Sequence, residues 1–259
     1  MNEPLFELHD ISFAYTDRQV LSGLDFTLAP GERVALVGGN GVGKSTLLHL
    51  LVGLHLPQAG TLTAFGKARR AEADFHDVRA RAGLLFQDPD DQLFCPSVLE
   101  DVAFGPLNLG KSRHEAVEIA QTTLAELGLE DFAPRITHKL SGGEKRMVSL
   151  ATVLAMGPDV LLLDEPTGGL DEPSATRLTQ HLLALPQAML FVSHERAFVE
   201  SVATRAVQLV DGRLSLAEIH AHPHTHIHSH VHVHAPGMAD HSHETPAHQD
   251  HEHKGGKVT

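Results

Sequence analysis

The sequence predicts an α/β fold built on a mostly parallel β-sheet, and two features of the chain lead to this prediction. Short apolar runs typical of strands recur along the first 217 residues and alternate with segments of helical periodicity. Between about residues 88 and 157 the pattern is mainly helical, which indicates an inserted α-helical subdomain. At 259 residues the chain is long enough to bury a sizeable core.

Each predicted element follows from a local pattern. Alternating apolar residues predict strands at residues 5–15 and 20–28, and Pro30 with Gly31 ends the second strand. Continuous apolar runs predict buried strands, and apolar residues three to four positions apart predict helices. The remaining predicted strands are 33–37, 60–65, 83–86, 160–163, 189–192 and 206–210. The predicted helices are 44–52, a mainly helical stretch over 98–128, 141–156 and 172–183.

The composition argues against several classes of protein. The chain carries 33 acidic and 20 basic residues, a formal net charge of −13, whereas proteins that bind nucleic acid usually present a basic surface. Its single cysteine excludes an internal disulfide framework and fits a reducing compartment. The first ten residues lack an apolar segment, so we expect no signal peptide. No apolar run approaches the ~18 residues of a membrane span, so we expect any membrane role to depend on a partner.

Thirteen of the 21 histidines lie between residues 220 and 253, which predicts a disordered, low-complexity tail over residues 218–259 behind a folded domain at 1–217. From residue 220 to residue 234 every second residue is histidine. Neutral imidazole suits Ni²⁺, Co²⁺, Zn²⁺ and Cu²⁺, so the tract is a candidate transition-metal site, with a purification tag or a merely solvated tail as alternatives. Its candidate ligands are His222, His224, His226, His228, His230, His232 and His234.

Residues 38–45 read GGNGVGKS, which fits the phosphate-binding pattern G-x-x-x-x-G-K-[ST]. Glycines let the backbone approach phosphate oxygens, and the N–H groups of such a loop bind anions at the start of a helix. Lys44 would neutralise phosphate charge, and the Ser45 hydroxyl would ligate Mg²⁺. A glycine turn with a chance lysine is disfavoured by the flanking strand and helix. The candidate nucleotide-binding residues are Gly38, Asn40, Gly41, Gly43, Lys44, Ser45 and Thr46.

The apolar run LLLDEP, residues 161–166, ends in two acids. Acidic residues at the end of a parallel strand face the crevice in which ligands bind. Asp164 is therefore a candidate for the Mg²⁺ shell, and Glu165 for the general base that activates or orients the attacking water. Taken alone, the acids would be read as a simple turn, and the upstream phosphate loop makes the catalytic reading the better one.

With these motifs in order, residues 5–215 resemble the ATP-binding cassette (ABC) ATPases, and LSGGEKR at 140–146 resembles that family's signature motif. The resemblance implies a P-loop NTPase-type fold with a mostly parallel sheet, an antiparallel β subdomain and an inserted α-helical subdomain. It also implies ATP hydrolysis. Because the chain has one phosphate loop and one signature, the resemblance implies a dimer in which Ser141, Gly142 and Gly143 of one subunit face the ATP of the other.

The same resemblance assigns further residues. Gln87 would sense the γ-phosphate and the metal, Asp171 would cross the dimer interface, and His194 would contact the γ-phosphate. Tyr15 occupies the position of the aromatic residue that stacks on adenine, although a packing role for it stays open. The resemblance therefore implies a catalytic set of Glu165, His194 and Gln87, with Mg²⁺ held through Ser45, Gln87 and Asp164.

Residues 86–110 are similar to the cobalt/nickel ATP-binding subunits of energy-coupling factor transporters, with Asp88 where asparagine is usual. In that family the region receives a coupling helix from the membrane subunit, and Phe94, Phe104 and Leu107 are candidate contacts unless they belong to the core. We therefore expect an ATPase at the cytoplasmic face of the cell membrane that powers nickel or cobalt import. Its expected partners are a second ATPase subunit, identical or not, and integral membrane subunits, without nucleic acid. Three alternatives remain: another cargo such as a vitamin, a soluble cassette protein, and a metal-storage protein with a vestigial ATPase core.

Overall fold

The computed structural model of the chain describes residues 3–217, so the predicted histidine ligands at 222–234 lie outside the described residues. Within this range ten strands and seven α-helices follow one another in an α/β order. The strands are β1 (Phe6–Tyr15), β2 (Arg18–Leu28), β3 (Arg33–Val37), β4 (Ala59–Ala64), β5 (Lys67–Arg69), β6 (Ala82–Leu85), β7 (Val160–Asp164), β8 (Ala188–Val192), β9 (Arg205–Val210) and β10 (Arg213–Ala217). The helices are α1 (Lys44–Leu51), α2 (His76–Arg81), α3 (Val98–Asn108), α4 (Arg113–Glu126), α5 (Gly142–Leu154), α6 (Glu172–Ala184) and α7 (Arg196–Val202).

The central sheet has six strands in the order β10-β9-β3-β8-β7-β6. Every neighbouring pair is parallel except β10 with β9, which form an antiparallel hairpin at the edge. A second sheet, in the order β2-β1-β4-β5, is wholly antiparallel. The predicted fold class, a mostly parallel sheet with an antiparallel β subdomain, is therefore confirmed.

Strands β7 and β8, inside the central sheet, are buried along their whole length because helices or the second sheet cover both faces. Along β7, Val160 and Leu162 point into the core shared with the antiparallel sheet and α1. Leu161 and Leu163 point into the core shared with helices α3 to α6. Side chains alternate between faces along a strand, so one apolar run supplies both cores.

The helical insertion packs against the edge of this sheet through a close contact between α5 and β6. A Cβ atom at Gly83 would lie 2.3 Å from Cγ1 of Val153, so only glycine allows the helix to approach this closely. The helix starts at Gly142 behind Ser141, whose backbone N–H donates to the carboxylate of Glu144 at 2.8 Å. This reciprocal capping box satisfies N–H groups that the first helical turn leaves free, so it fixes where α5 begins.

The structure corrects several of the predicted elements. The short strand β5, the helices α2 and α7 and the edge strand β10 were not predicted. The predicted helix 141–156 is shorter, ending at Leu154, because Gly157 with a positive φ of 65° and Pro158 close its C-terminus. The mainly helical stretch 98–128 consists of two helices, α3 and α4, separated by residues 109–112. The other predicted strands and helices are present, with bounds that differ by at most two residues. The proposed limits of the helical subdomain and of the folded domain stay predictions.

Candidate nucleotide-binding site

The loop between β3 and α1 has the backbone conformation of a phosphate cradle. Gly43 adopts a φ of 111°, and a Cβ atom there would lie 2.3 Å from Cγ1 of Val20. At Gly38 a Cβ atom would lie 2.6 Å from the carbonyl oxygen of Leu209. Glycine is therefore required at both positions, and the loop leads directly into the N-terminus of α1, where backbone N–H groups favour an anion.

Lys44 is the first residue of α1, and its side chain folds back over the loop. Its Nζ atom donates to the carbonyl oxygens of Gly38 at 2.9 Å and Gly39 at 2.8 Å. Only 8% of the residue is exposed. Burial lowers the pKa of the ammonium group, while the carboxylates of Glu165 and Asp164 act in the opposite direction. The loop thus holds a positive charge where phosphate oxygens would sit.

Two acidic residues lie where β7 ends. Asp164 is the last residue of the strand and is 4% exposed. Glu165 follows with a positive φ of 47°, a left-handed conformation that is uncommon for a residue with a Cβ atom. This backbone turn directs the two successive carboxylates differently, so that Asp164 stays buried while the side chain of Glu165 is 16% exposed.

His194 follows β8, the strand next to β7, and contacts Glu165 twice. Its Nε2 atom lies 3.2 Å from Oε1 of Glu165, and its backbone N–H donates to Oε2 at 3.3 Å. The same Nε2 atom lies 3.4 Å from Nζ of Lys44. Because β7 and β8 are parallel neighbours, the base candidate, the imidazole and the loop lysine meet at one end of the sheet.

These groups surround an open cavity of about 720 Å³. A cavity of this size, lined by a phosphate loop at one side and an aromatic ring at another, suits a nucleotide. It brings together eleven of the residues predicted from sequence. They are Tyr15, Asn40, Gly41, Gly43, Lys44, Ser45, Thr46, Gln87, Asp164, Glu165 and His194.

Tyr15 ends β1 and forms the aromatic side of this cavity. Its ring is 43% exposed, so it is not a buried packing residue. The phenol oxygen lies 3.2 Å from Oγ1 of Thr46 in the first turn of α1. This contact holds the ring beside the phosphate loop, and the open side of the ring is available to a base.

Two arginines in the cavity wall were missed by the sequence analysis as site residues. Arg18 donates to the carbonyl oxygen of Gly41 at 2.7 Å. Arg146, 3% exposed, donates to the carbonyl oxygens of Phe86 at 2.6 Å and Gln87 at 2.5 Å. Arg146 lies inside the signature LSGGEKR, so its motif was visible, whereas no sequence pattern points to Arg18.

Five residues that the sequence predicts for the site do not line this cavity. They are Gly38, Ser141, Gly142, Gly143 and Asp171. Ser141 and Gly142 are exposed at the start of α5, and Gly142 borders a neighbouring hollow of about 580 Å³ with Ser45, Gln87 and Asp164. Asp171 caps α6 by accepting a hydrogen bond from the backbone N–H of Ser174. Hydrogen bonding with the side chain of Ser174, and next with its backbone N–H, lowers the pKa of the Asp171 carboxyl group. The signature helix therefore presents its N-terminus outward, where it is accessible to another molecule.

The chemistry of the donor set also fits Mg²⁺. Ser45, Gln87 and Asp164 offer a hydroxyl, an amide and a carboxylate oxygen, and all three border both hollows. Oxygen ligands of this kind are those that Mg²⁺ prefers. Among residues 3–217 no group of three or more histidines, cysteines or acids is placed to hold a metal ion.

A separate apolar groove of about 300 Å³ lies between the α1–β4 connection and helices α3 and α5. Leu54, Phe94, Phe104 and Met156 are among its lining residues. The rings of Phe94 and Phe104 meet edge to face, with their centroids 4.8 Å apart. Phe94 is 64% exposed, and Phe104 and Leu107 are each 42% exposed, so the alternative that these residues belong to the core is wrong.

Asp101 fixes the loop that carries Phe94. Its carboxylate, 3% exposed, accepts hydrogen bonds from the backbone N–H groups of Phe94 at 3.0 Å and Cys95 at 2.9 Å, and from the Thr137 hydroxyl at 2.8 Å. Burial and the nearby Asp101 carboxylate raise the pKa of the Cys95 thiol to about 11, so this cysteine is an unreactive packing residue. The groove wall is therefore rigid although its aromatic rings are exposed.

Within the part of the chain that the structure describes, no helix combines the length and apolar character needed to cross a membrane. The family of the chain follows from its similarity to known proteins. A model of the family described as ABC transporter matches residues 21–168. An ABC transporter ATP-binding protein of Brucella suis, whose name gives no substrate, is 55% identical over 84% of this chain and 91% of its own length.

The names of one further relative and of one solved structure state a substrate or a complex. The nickel import ATP-binding protein NikO of Rhodobacter capsulatus is 44% identical over 83% of this chain and 89% of its own. The structure of CbiO1 from Clostridium perfringens, described as part of the ABC transporter complex CbiONQ, superimposes with a TM-score of 0.74. That chain is 32% identical, and the match covers 83% of this chain and 88% of that one.

Proposed function

This chain belongs to the ABC transporter family, and on that premise we propose that it energises the import of a transition-metal ion, nickel or cobalt, through a membrane transporter. It is an ATP-binding subunit, an ATPase that converts ATP and water to ADP and phosphate in a reaction coupled to transport. What we propose beyond this are the roles of individual residues, the partners and the cargo.

In the proposed mechanism the phosphate loop and Lys44 hold the triphosphate, and Glu165 accepts a proton from the attacking water. The observation that supports this assignment is the contact of His194 with both Lys44 and Glu165, at 3.4 and 3.2 Å. A base and a phosphate-binding cation that contact the same imidazole would bring the attacking water and the γ-phosphate next to each other. His194 would orient Glu165 and contact the γ-phosphate, while Gln87 would report its presence.

Mg²⁺ would be held by Ser45, Gln87 and Asp164 together with phosphate oxygens. When bound, it would neutralise part of the charge that develops on the transferred phosphoryl group. Asp164 is suited to this role because it is buried beside the cavity, at 4% exposure.

We propose that two copies of the chain form a homodimer with two composite sites. In one copy the cavity is open, and the exposed Ser141 and Gly142 at the N-terminus of α5 lie outside it. The partial positive charge of that helix end, together with the N–H groups of Gly142 and Gly143, suits the γ-phosphate held by a second copy. Gly143 and Asp171 would complete the contact between the subunits.

The apolar groove is the proposed docking site for a helix of an integral membrane subunit, and its position would place this ATPase at the cytoplasmic face of the membrane. Phe94 and Phe104 offer exposed aromatic surface in a cleft whose wall Asp101 holds rigid. Clefts of this kind receive the apolar face of an amphipathic helix. The groove shares Phe86 with the hollow beside Gln87, so docking and nucleotide sensing lie in contact.

If a membrane subunit docks in the groove, its aromatic residues should be needed for membrane association of this chain. Phe94→Ala combined with Phe104→Ala should reduce by at least roughly tenfold the fraction of the chain that sediments with membranes containing its transport partners, because central aromatic contacts are worth about 2 kcal/mol or more. ATP affinity of the purified variant should stay unchanged. Leu216→Asp is the matched control, since Leu216 is 83% exposed on the edge strand β10. Normal membrane recovery of the double variant would contradict docking in this groove.

The cargo proposal rests on the occurrence in one chain of the histidine tract and of a stretch, residues 86–110, that is similar to cobalt/nickel transporter subunits. The 44% identity to a nickel import ATP-binding protein supports it. The ATPase motifs do not contribute to this part, because the transported ion does not enter the nucleotide cavity.

The cargo is tested on the complete complex isolated from membranes. Its ATPase rate in Mg²⁺ should rise when Ni²⁺ or Co²⁺ is supplied on the transport side, and the complex carrying Lys44→Ala should show no response. A rate that responds to a vitamin or another solute, and to neither metal, would overturn the metal cargo while leaving the ATPase assignment intact.

A separate experiment tests whether the tail, residues 218–259, binds metal. Deletion of residues 218–259 should leave ATPase activity within about twofold and lower the number of Ni²⁺ ions bound per subunit, because imidazole nitrogens are the expected ligands. Binding should weaken below the ordinary imidazole pKa of about 6.5, where protons compete with metal. Full metal stoichiometry in the shortened chain, measured by equilibrium dialysis, would contradict a metal-binding tail.

A further inference from the structure

A histidine outside the nucleotide cavity contacts the aromatic residue at its wall. His55 lies in the connection between α1 and β4, and its Nε2 atom is 3.0 Å from the phenol oxygen of Tyr15. No motif of the sequence includes His55. The phenol oxygen therefore has two polar neighbours, His55 on one side and Thr46 at 3.2 Å on the other.

The imidazole of His55 is itself held in place by a ring stack. It lies against Phe13 with the planes 28° apart and the centroids 5.1 Å apart. Phe13 is 8% exposed, so it belongs to the rigid core. Tyr15 packs nearly perpendicular to both rings, at 90° to Phe13 and 88° to His55. Perpendicular packing of this kind is favourable and defines the orientation of each ring.

A second histidine supports the first from the other side. The ring centroids of His49, on α1, and His55 are 5.6 Å apart, and His49 also lies 6.0 Å from Phe86. Burial, and next the neighbouring His55, lower the pKa of His49. His49 is thus expected to be neutral near pH 7, which leaves it a packing group for His55.

An exposed tyrosine that binds a base pays an entropic cost unless its ring is already oriented. At 43% exposure Tyr15 would otherwise be free to rotate, and the contacts with Thr46, Phe13 and His55 remove that freedom. We propose that His55 is a positioning residue that holds the ring of Tyr15 in the orientation that receives the purine base of ATP. This inference rests on the proposed function, in which Tyr15 stacks on the base.

The test compares binding of a complete nucleotide with binding of its phosphate chain alone. His55→Phe keeps the ring stack on Phe13 and removes the polar contact with the phenol. The Kd for a non-hydrolysable ATP analogue should rise roughly two- to tenfold, the effect of one lost hydrogen bond. The Kd for inorganic tripolyphosphate, which has no base, should not change. In steady-state assays KM for ATP should rise while kcat stays within about twofold.

A double-mutant cycle shows whether His55 acts through Tyr15. Tyr15→Phe removes the contacts of the phenol with both His55 and Thr46, so adding His55→Phe to Tyr15→Phe should cause no further loss of affinity. His55→Gln, whose amide can reach the phenol, should restore part of the affinity and serves as a second variant if His55→Phe unfolds. His114→Phe, on the exposed surface of α4, is the control substitution.

Additive losses in the cycle, or an equal loss of affinity for tripolyphosphate, would overturn the positioning role of His55. The Tyr15→Ala variant distinguishes this failure from a failure of the proposed function. If Tyr15→Ala weakens binding of the ATP analogue and His55→Phe does not, only the role of His55 is wrong. If Tyr15→Ala has no effect, the stacking role of Tyr15 is wrong as well, and the inference falls with it.

Discussion

The Lys44→Ala variant is expected to lose ATP binding by a factor of roughly 100, because charge-assisted hydrogen bonds to phosphate are worth about 1.5–3 kcal/mol. The Nζ atom is held at 2.9 Å from the Gly38 carbonyl and 2.8 Å from the Gly39 carbonyl, inside the loop that would surround the phosphates. Removal of the ammonium group takes away the positive charge of the loop side chain and leaves Asp164 and Glu165 to repel the triphosphate. Titration with a fluorescent ATP analogue measures the effect directly.

Two further lysine variants serve as controls for the ATP affinity of Lys44→Ala. Lys67→Ala removes a lysine that is 72% exposed beside Asp77, and it should leave ATP affinity unchanged. Lys44→Arg keeps the charge but places a larger, planar group in a site with 8% exposure, so it should bind ATP poorly as well. ATP affinity of Lys44→Ala equal to that of the unmodified chain would contradict the assignment of residues 38–45 as the phosphate loop.

The Glu165→Gln variant should bind ATP normally and lose hydrolysis by roughly 10²–10⁴-fold, the range for removal of a general base. The amide has the same shape as the carboxylate and still accepts the hydrogen bond from the backbone N–H of His194, so the site should keep its geometry. What it lacks is the ability to take a proton from water. Single-turnover phosphate release, together with the Kd for ATP, separates the chemical step from binding.

Glu195→Gln is the matched control for this substitution. Glu195 follows His194 directly and is exposed, so the change removes the same charge from the same edge of the sheet. Its hydrolysis rate should stay within a few-fold of the unmodified chain. Normal turnover by Glu165→Gln, or an equal loss in both variants, would remove Glu165 from the role of base.

The parts of the fold that sequence predicted best are those in which burial imposes a pattern. The run at β7 is apolar at every position because both of its faces are covered, so both its strand character and the position of Asp164 at its end were readable. The start of α5 was readable for a different reason, since Ser141 and Glu144 have the spacing of a capping box and make its hydrogen bonds.

The elements that were missed are those held by backbone pairing or by contacts distant in sequence. The strand β10 is paired with β9 through its backbone, but its side chains are mostly exposed, as at Leu216, and show no alternation between a buried and an exposed face. In the site, Arg18 reaches the carbonyl of Gly41 across 23 positions of chain, and His55 reaches Tyr15 across 40. Such pairs obey no short-range periodicity, so they emerge only from the folded structure.

We propose that this chain forms half of a composite ATPase site, which a second copy completes. The most direct test is the particle mass of the Glu165→Gln variant, measured by light scattering during size-exclusion chromatography with and without Mg²⁺ and ATP. We expect a monomer near the 28.0 kDa mass of the chain without nucleotide, and a particle of about twice that mass with ATP. A variant that binds ATP one to one and stays monomeric would contradict the composite site.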